Sequence, residues 1–569
     1  MPDLLLFVQL PQLDNLVVDD HENLYLAAAY LEWAVRRSPL TAGLETARLP
    51  PDYDTAPDDV ILQTLVDRAP RFVACTVYLW NLERTLALMK RLKRALPGVT
   101  VLLGGPEIAR SHPLLRRPGA ADILVVGEGE RVLPELLHGL GTGRVPAFSC
   151  VAAAGKRAYV WGSPVPGETD LNRELPPPDW PGLAPDARGM AYVETSRGCP
   201  MRCTYCRYHQ LRRSLSLLEP AAVAARVLAL REKGAREIRF VDPTFNAHPR
   251  FTETLRLLGA ANKDGRVAFF AELRADRLTE EQADLLAAAR FTDIESGVQS
   301  LEPDVLAAIG RPADPVKTGD GIRRMAARGI RVTLDLMIGL PFQTKAHVDR
   351  ALDWALGFPR SVNIQCMHTL LLPGTILRKQ ALRLGIRADP LPPYAVLETP
   401  WMSRADLLAV ENRLTADPRL RADTPTTRFV GHALPELFAD PVLIPVPWRG
   451  PEFLPKGPAR ARQAWVFRGT GLFAHARLLA EAVRGAIRAS PYTLWQFVLE
   501  PDTEEPLDLL DSLTAAIRAE PPMIVDRYAS VSLRSLTASR RLFIRLRRGR
   551  SYDPGWVEAA RDALEASFF

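Results

Sequence analysis

Twice along this chain, short apolar runs alternate with amphipathic helical stretches, and that rhythm leaves few folds open. In the first 145 residues, strands are expected near Leu4–Leu10, Leu44–Leu49, Arg71–Tyr78, Val99–Leu103 and Ala121–Val126. Helical stretches over 23–37, 58–69 and 81–96 separate them, and Leu82, Leu86 and Met89 share one face of the third. Strands joined through helices run parallel. The region is therefore predicted to be an open, doubly wound parallel sheet with its ligand crevice beyond the carboxyl ends of the strands.

From Met190 the rhythm resumes for six more units. Strands are expected over 191–195, 237–246, 266–276, 292–300, 330–341 and 361–375. Ser216 with Glu219, ahead of Pro220, reads as a capping box for the first helix, which stops at Gly234; Thr279 and Gln282 open another. Residues 146–185 are too rich in proline for a helix or an inner strand and read as a linker, with a hairpin-like stretch over 150–162. The predicted class is α/β: domain 1–145, linker 146–185, partial (βα)6 barrel 186–415, and an α+β extension 416–569. That extension is expected to serve as a lid or substrate domain.

A chain of 569 residues with 47% hydrophobic and 24% charged residues reads as soluble and globular. The N-terminus has no basic region before its apolar run, so it is expected to be a first strand and the protein cytoplasmic. The net charge of +6 invites a nucleic-acid reading. However, only nine of the 72 basic residues are lysine, a chain-wide arginine bias that requires no basic face. In the one basic run, 532–550, the alternation over Leu542–Leu546 suits an edge strand with a charged outer face.

Cys199, Cys203 and Cys206 form a C-x3-C-x2-C run directly after the first strand of the second series. A closed zinc site wants four ligands, and His209 follows Cys206 too closely to supply the fourth in the usual way. Six cysteines in this length do not read as a disulfide framework. Three thiolates can cap three corners of an iron–sulfur cube and leave one iron open. This run, with the strand before it and the six βα units after it, resembles the radical S-adenosylmethionine enzymes. The resemblance implies that the three cysteines hold a 4Fe-4S cluster whose open iron chelates S-adenosylmethionine. An external electron donor such as flavodoxin or ferredoxin then starts cleavage to a 5′-deoxyadenosyl radical. It also implies cofactor contacts from Tyr205, Asp242, Pro243, Glu272, Arg274, Glu295, Gly339 and Leu340. Arg274 with Asp335 could instead form an internal salt bridge.

Three loops of the first series, at Thr76–Asn81, Gly104–Glu107 and Gly127–Glu130, fall at successive strand ends. Together they resemble the cobalamin-binding domain that precedes the barrel in one branch of that family. The resemblance implies cobalamin contacts from Thr76, Tyr78, Gly104, Gly105, Gly127, Gly129 and Glu130. The D-x-H-x-x-G signature fails at Leu24, so His21 is expected to be helix-start decoration rather than a cobalt ligand. With only Cys75 and Cys150 upstream of the motif, the methylthiotransferase branch is closed. The expectation is methyl transfer to a small-molecule or natural-product substrate, without a membrane or nucleic-acid partner. Other radical chemistry, or a cluster-bearing sensor, are the alternatives. No catalytic residue is assigned.

Overall fold

The structure, a computed structural model, describes residues 3–12, 24–148, 150–155, 158–162, 167–210, 212, 214–420, 428–434, 437–447, 454–455, 459–529 and 539–566. His21 lies outside the described residues. The chain sorts into two compact units, residues 1–10, 21–49 and 69–422 in one, and 11–20, 50–68 and 423–569 in the other. Among the described residues no helix is long and apolar enough to cross a membrane.

In the first unit, β1 (Leu4–Val8), β2 (Glu45–Arg48), β3 (Phe72–Thr76), β4 (Thr100–Gly104) and β5 (Ile123–Val125) run parallel in the order β2-β1-β3-β4-β5. Order reverses between β1 and β3, the switch point where such sheets bind ligands. Alternate residues Leu5, Phe7, Phe72, Ala74 and Leu102 pack against Ala28, Val35, Leu133 and Leu136 of two helices. Leu6, Val73, Val101 and Leu103 are as deeply buried on the other face. Both faces are covered, as a parallel sheet requires. The hairpin expected within the linker, β6 (Val151–Ala154) and β7 (Tyr159–Trp161), instead extends this sheet antiparallel from β5. Residues 147–163 contain no proline, so nothing prevents that pairing.

A second sheet in the same unit is wholly parallel, each strand beside its neighbour in sequence. It comprises β8 (Met190–Val193), β9 (Glu237–Phe240), β10 (Ala268–Glu272), β11 (Phe291–Gln299), β12 (Arg331–Ile338) and β13 (Val362–His368). This is the open arc of a (βα)6 barrel. Its helix-facing residues, among them Val193, Phe240, Phe269, Ile294, Leu334 and Leu336, form the largest core of the unit. Phe240, Phe245, Phe269 and Phe291 cluster there with ring centroids 4.5–5.8 Å apart. Because strand residues alternate, Tyr192, Glu194, Glu272, Glu295, Asp335 and Met367 point to the opposite, concave side. Thr279 and Gln282 make the expected capping box. Ser216 does not. It pairs with Arg197 in a two-residue antiparallel bridge, and Pro220 starts the helix behind Glu219 without a side-chain cap. The backbone of Ser216 is committed to the cysteine loop.

In the second unit, β14 (Arg428–Gly431), β15 (Val442–Val446), β16 (Arg462–Gly469), β17 (Leu494–Pro501) and β18 (Arg540–Arg545) form a parallel sheet of order β14-β18-β17-β16-β15. The α/β class holds for the whole chain, but this extension departs from the α+β pattern expected of it. Helices Ala476–Ala489 and Asp508–Arg518 fall between successive strands, and each crossover forces the next strand parallel. Every residue of β17 is buried. Residues 50–68, between β2 and β3 in sequence, belong to this unit; Ala461 N–H donates to Thr55 O at 3.2 Å.

The edge strand expected at 542–546 is an interior one, paired on both sides. Arg540 is 2% exposed, and its guanidinium donates to the carbonyls of Ile517, Glu520 and Pro521 at 3.2, 2.9 and 2.6 Å. Arg540 thus caps a helix end and Arg541 covers Phe438 (5.1 Å) instead of facing water, and the strand is buried on both faces. Arg540→Ala should lower the stability of this unit by about 2–3 kcal/mol, the worth of charge-assisted bonds to buried carbonyls. Denaturant unfolding followed through Trp465 and Trp495 measures it, and an unchanged midpoint would contradict this role.

Candidate functional site

The cysteine loop leaves the sheet just beyond β8, and a buried carboxylate sets its direction. Asp242, without solvent exposure, accepts the Thr195 N–H at 3.0 Å and also the Ser196 N–H. Burial pushes its carboxyl up to about 7, with Glu194 adding and the hydrogen bonds opposing. Gly198 then takes φ +92°, and a Cβ there would stand 2.9 Å from Ser214 O. Further along, Thr204 N–H donates to Ile309 O (2.8 Å), Thr204 O accepts from Leu377 N–H (2.9 Å), and Cys206 N–H donates to Cys203 O (3.1 Å).

The three thiols share one neighbourhood. Burial pushes the Cys206 thiol up to about 11, and Cys203 and Cys199 add to the shift. Arg311, a residue not singled out from sequence, places Nη1 3.7 Å from Cys203 Sγ while Nη2 donates to Gly297 O at 2.6 Å. Cys199 Sγ lies 3.5 Å from Thr244 Oγ1. Among the described residues no three His, Cys, Asp or Glu side chains converge on one metal ion. A cubane needs no such convergence, because each thiolate takes a different iron.

The residues expected to contact S-adenosylmethionine divide into two groups. Glu272 and Glu295 are register partners on β10 and β11, and Asp335 lies on the neighbouring β12. They line the concave face. Glu272 is solvent-accessible yet surrounded by protein, and burial, then Glu295 and Asp242, push it up to about 7. Tyr205 packs against the cluster formed by Ile309, Met337 and the fully buried Leu340. Gly339 and Leu340 N–H groups both donate to Gln343 Oε1, at 2.8 and 3.1 Å. Gln343 is a second residue that sequence analysis passed over.

Arg274 is committed to the cysteine loop instead. The Arg274–Asp335 salt bridge does not form. Arg274 lies past the end of β10 and turns to Asp276 (2.8 Å), Pro312 O (2.9 Å) and Met201 Sδ (2.9 Å). It therefore braces the cysteine loop. Pro243 O accepts the Thr244 hydroxyl at 2.6 Å.

Thr76, Gly104 and Gly127 lie along one edge of the first sheet, at the ends of β3, β4 and β5. Gly105 has φ +109°, and a Cβ would fall 2.6 Å from Val77 O, so only glycine lets this loop close on its neighbour. A Cβ on Gly129 would meet Leu31 at 2.8 Å. Tyr78 stacks on Trp80 at 4.5 Å. Glu130 is committed elsewhere, 2.8 Å from Arg197 Nη1. The sheet edge also meets the barrel segment: Tyr394 OH lies 2.9 Å from both Glu107 Oε1 and His112 Nε2, and Arg207 donates to Ile108 O at 3.0 Å. Tyr208 is half exposed. Burial, then Glu272, Cys206, Tyr78 and Asp242, hold its phenol above the ordinary value.

Residues 193–355 match the radical SAM superfamily, and residues 37–137 match the B12 binding domain. Among curated proteins, the chain is 27% identical over 350 residues to 2-(S-pantetheinyl)-carbapenam-3-carboxylate methyltransferase of Streptantibioticus cattleyicolor, covering 55% of this chain and 50% of that one. It is likewise 27% identical over 344 residues to the cobalamin-dependent radical SAM methyltransferase TokK of Streptomyces tokunonensis, covering 54% and 49%. The chain thus spans about half the length of these relatives. Of solved structures, the methyltransferase TsrM of Kitasatospora setae, with tryptophan substrate and an S-adenosylmethionine analogue bound, aligns with TM-score 0.54 at 18% identity. That match covers 68% of this chain and 78% of TsrM, and shows a shared fold.

Burial first, then Glu295 and Glu272, hold the Asp335 carboxyl up at about 9, with Arg311 opposing. Folded, it stays protonated; unfolded, it ionises above about pH 4, so it costs stability as pH rises toward 9. The advantage of Asp335→Asn over the native ligand-free protein should therefore widen from about pH 5 to about pH 8. Thermal midpoints measured across that range check it; a constant gap would refute it.

Proposed function

We propose, on the premise that this chain belongs to the radical S-adenosylmethionine superfamily and to its branch with an N-terminal B12-binding domain, that it is a cobalamin-dependent radical methyltransferase acting on a small molecule. The observation that carries this reading is the direct junction of the two halves: Arg207, next to Cys206, donates to Ile108 O just past the Gly104–Glu107 loop at 3.0 Å, and Tyr394 OH reaches Glu107 at 2.9 Å. A substrate held there would be within reach of both cofactors. The methyltransferase relatives, one named for a carbapenam carboxylate, and the tryptophan bound to TsrM support a small-molecule acceptor.

The residues present fit these groups. The Cys206 thiol, pushed up by burial with Cys203 and Cys199 adding, ionises readily only beside further positive charge, which iron would supply. Cys199, Cys203 and Cys206 would hold the cluster, and the glycine-lined edge at Gly104, Gly105, Gly127 and Gly129, with Thr76 and Tyr78, would receive the corrinoid. When bound, the cluster with S-adenosylmethionine supplies a 5′-deoxyadenosyl radical, and cobalamin supplies a methyl group. Asp242 fixes the start of the cysteine loop. Gln343 holds the Gly339–Leu340 turn against which an adenine could lie. Glu272 and Glu295 offer carboxyl oxygens to hydroxyl or cationic groups of a ligand, with Asp335 held protonated beside them. An external flavodoxin or ferredoxin would deliver the electron.

Anaerobically reconstituted protein, given reductant, S-adenosylmethionine and cobalamin, should release 5′-deoxyadenosine together with S-adenosylhomocysteine once a suitable acceptor is present. Deoxyadenosine without S-adenosylhomocysteine across a small-molecule panel would point to non-methylating radical chemistry. Cys203→Ala should abolish deoxyadenosine release while circular dichroism stays native, and unchanged release in that variant would refute the assignment.

A further inference from the structure

The glutamates of the Gly127–Glu130 loop reach the cysteine loop from two sides. Glu128 accepts Arg212 Nη1 at 2.5 Å and the Thr169 N–H at 2.8 Å, and lies 3.4 Å from Arg197 Nη1. Glu130 stands 2.8 Å from that same Nη1. Arg197 precedes Cys199 by two residues, and its other nitrogens donate to Glu194 at 3.0 and 2.8 Å. Arg212 follows Cys206 by six, donating from Nε to Ser214 O at 3.0 Å and from Nη2 to Thr169 O at 3.0 Å. The two arginine side chains are 15% and 6% exposed. Their backbones close the ring, because Arg197 pairs with Ser216 across the base of the loop.

A buried guanidinium must stay paired, and its planar fork fixes the direction of each partner. Two guanidinium groups here face the carboxylates of Glu128, Glu130, Glu194 and Glu168, so neither can turn away without stranding charge. Among the described contacts Glu130 reaches the arginine rather than the open edge above β4 and β5. We propose that Glu128 and Glu130 are positioning residues, which clamp both ends of the cysteine loop to the corrinoid-type sheet through Arg197 and Arg212. The glycines of that loop serve the corrinoid edge; its carboxylates serve the cluster. This rests on the reading of the cysteines as cluster ligands, although the clamp itself exists without metal.

The test uses Glu130→Gln and Glu128→Gln in the full chain, with three measurements. Partners that orient metal ligands from outside typically contribute ~10–100-fold in metal affinity, so iron release to a chelator from the reconstituted protein should rise at least ~10-fold. In metal-free protein, hydrogen exchange at the amides of 197–199 should quicken while that of β11 stays native, which separates loop release from misfolding. Cobalamin affinity, read by absorbance titration, should stay within ~2-fold, because no carboxylate would be lost from the corrinoid edge. Native iron release and native exchange in both variants would overturn the clamp, as would a ~10-fold loss of cobalamin affinity with iron release unchanged. If the native protein takes up no iron and sulfide, the functional reading fails, while exchange at 197–199 in the metal-free variants still decides the clamp.

Discussion

The Asp242 carboxylate joins the end of β9 to Thr195 and Ser196 just beyond β8, and the path of the cysteine loop follows from that junction. Thr195 and Ser196 present their N–H groups to a carboxylate with no exposure to water, at a point where backbone donors would otherwise go unpaired. From there Gly198 turns the chain, Arg197 pairs back to Ser216, and the three thiols come to lie together. Neutralising Asp242 lessens its burial cost, as its raised titration shows, but its two acceptor oxygens are what hold the turn.

Charge is sorted by depth in the rest of the unit. Arginines near the cysteine loop are each tied to a carboxylate or a carbonyl: Arg197 to Glu194, Arg212 to Glu128, Arg274 to Asp276, Arg311 to Gly297 O. On the concave face, burial and neighbouring carboxylates hold Glu272 and Asp335 above the usual carboxylate range. The scaffold is thus rigidly paired around the loop and left proton-rich where a ligand would bind. This division suits a site that must fix a metal cluster and still accept a substrate.

Much of this was legible in the chain, because the two βα series impose parallel sheets and the cysteines fall directly after a strand. Strand spacing located both sheets to within a few residues, and the polar ends of β10, β11 and β12 marked the concave face through the period of two. The misses have a common cause. Ser216 has the composition of a cap but is claimed by Arg197 across the loop. Arg540 looks like a surface residue until a helix end meets it. Arg311 follows a helix-ending glycine, where a solvated arginine is ordinary, and Gln343 sits in an unremarkable turn. Apart from Gln343, whose partners lie within six residues, each depends on a partner distant in sequence. The parallel pairing of the C-terminal sheet was hidden because the proline-rich sequence over 435–458 masks the alternation of strand and helix.

The account depends on an iron corner left open by the protein for S-adenosylmethionine. Electron paramagnetic resonance of the anaerobically reduced protein, recorded before and after adding S-adenosylmethionine, tests that point most directly. A reduced 4Fe-4S signal whose g values shift on addition is the predicted result. A signal indifferent to saturating S-adenosylmethionine, or protein that carries zinc and no cluster, would contradict it.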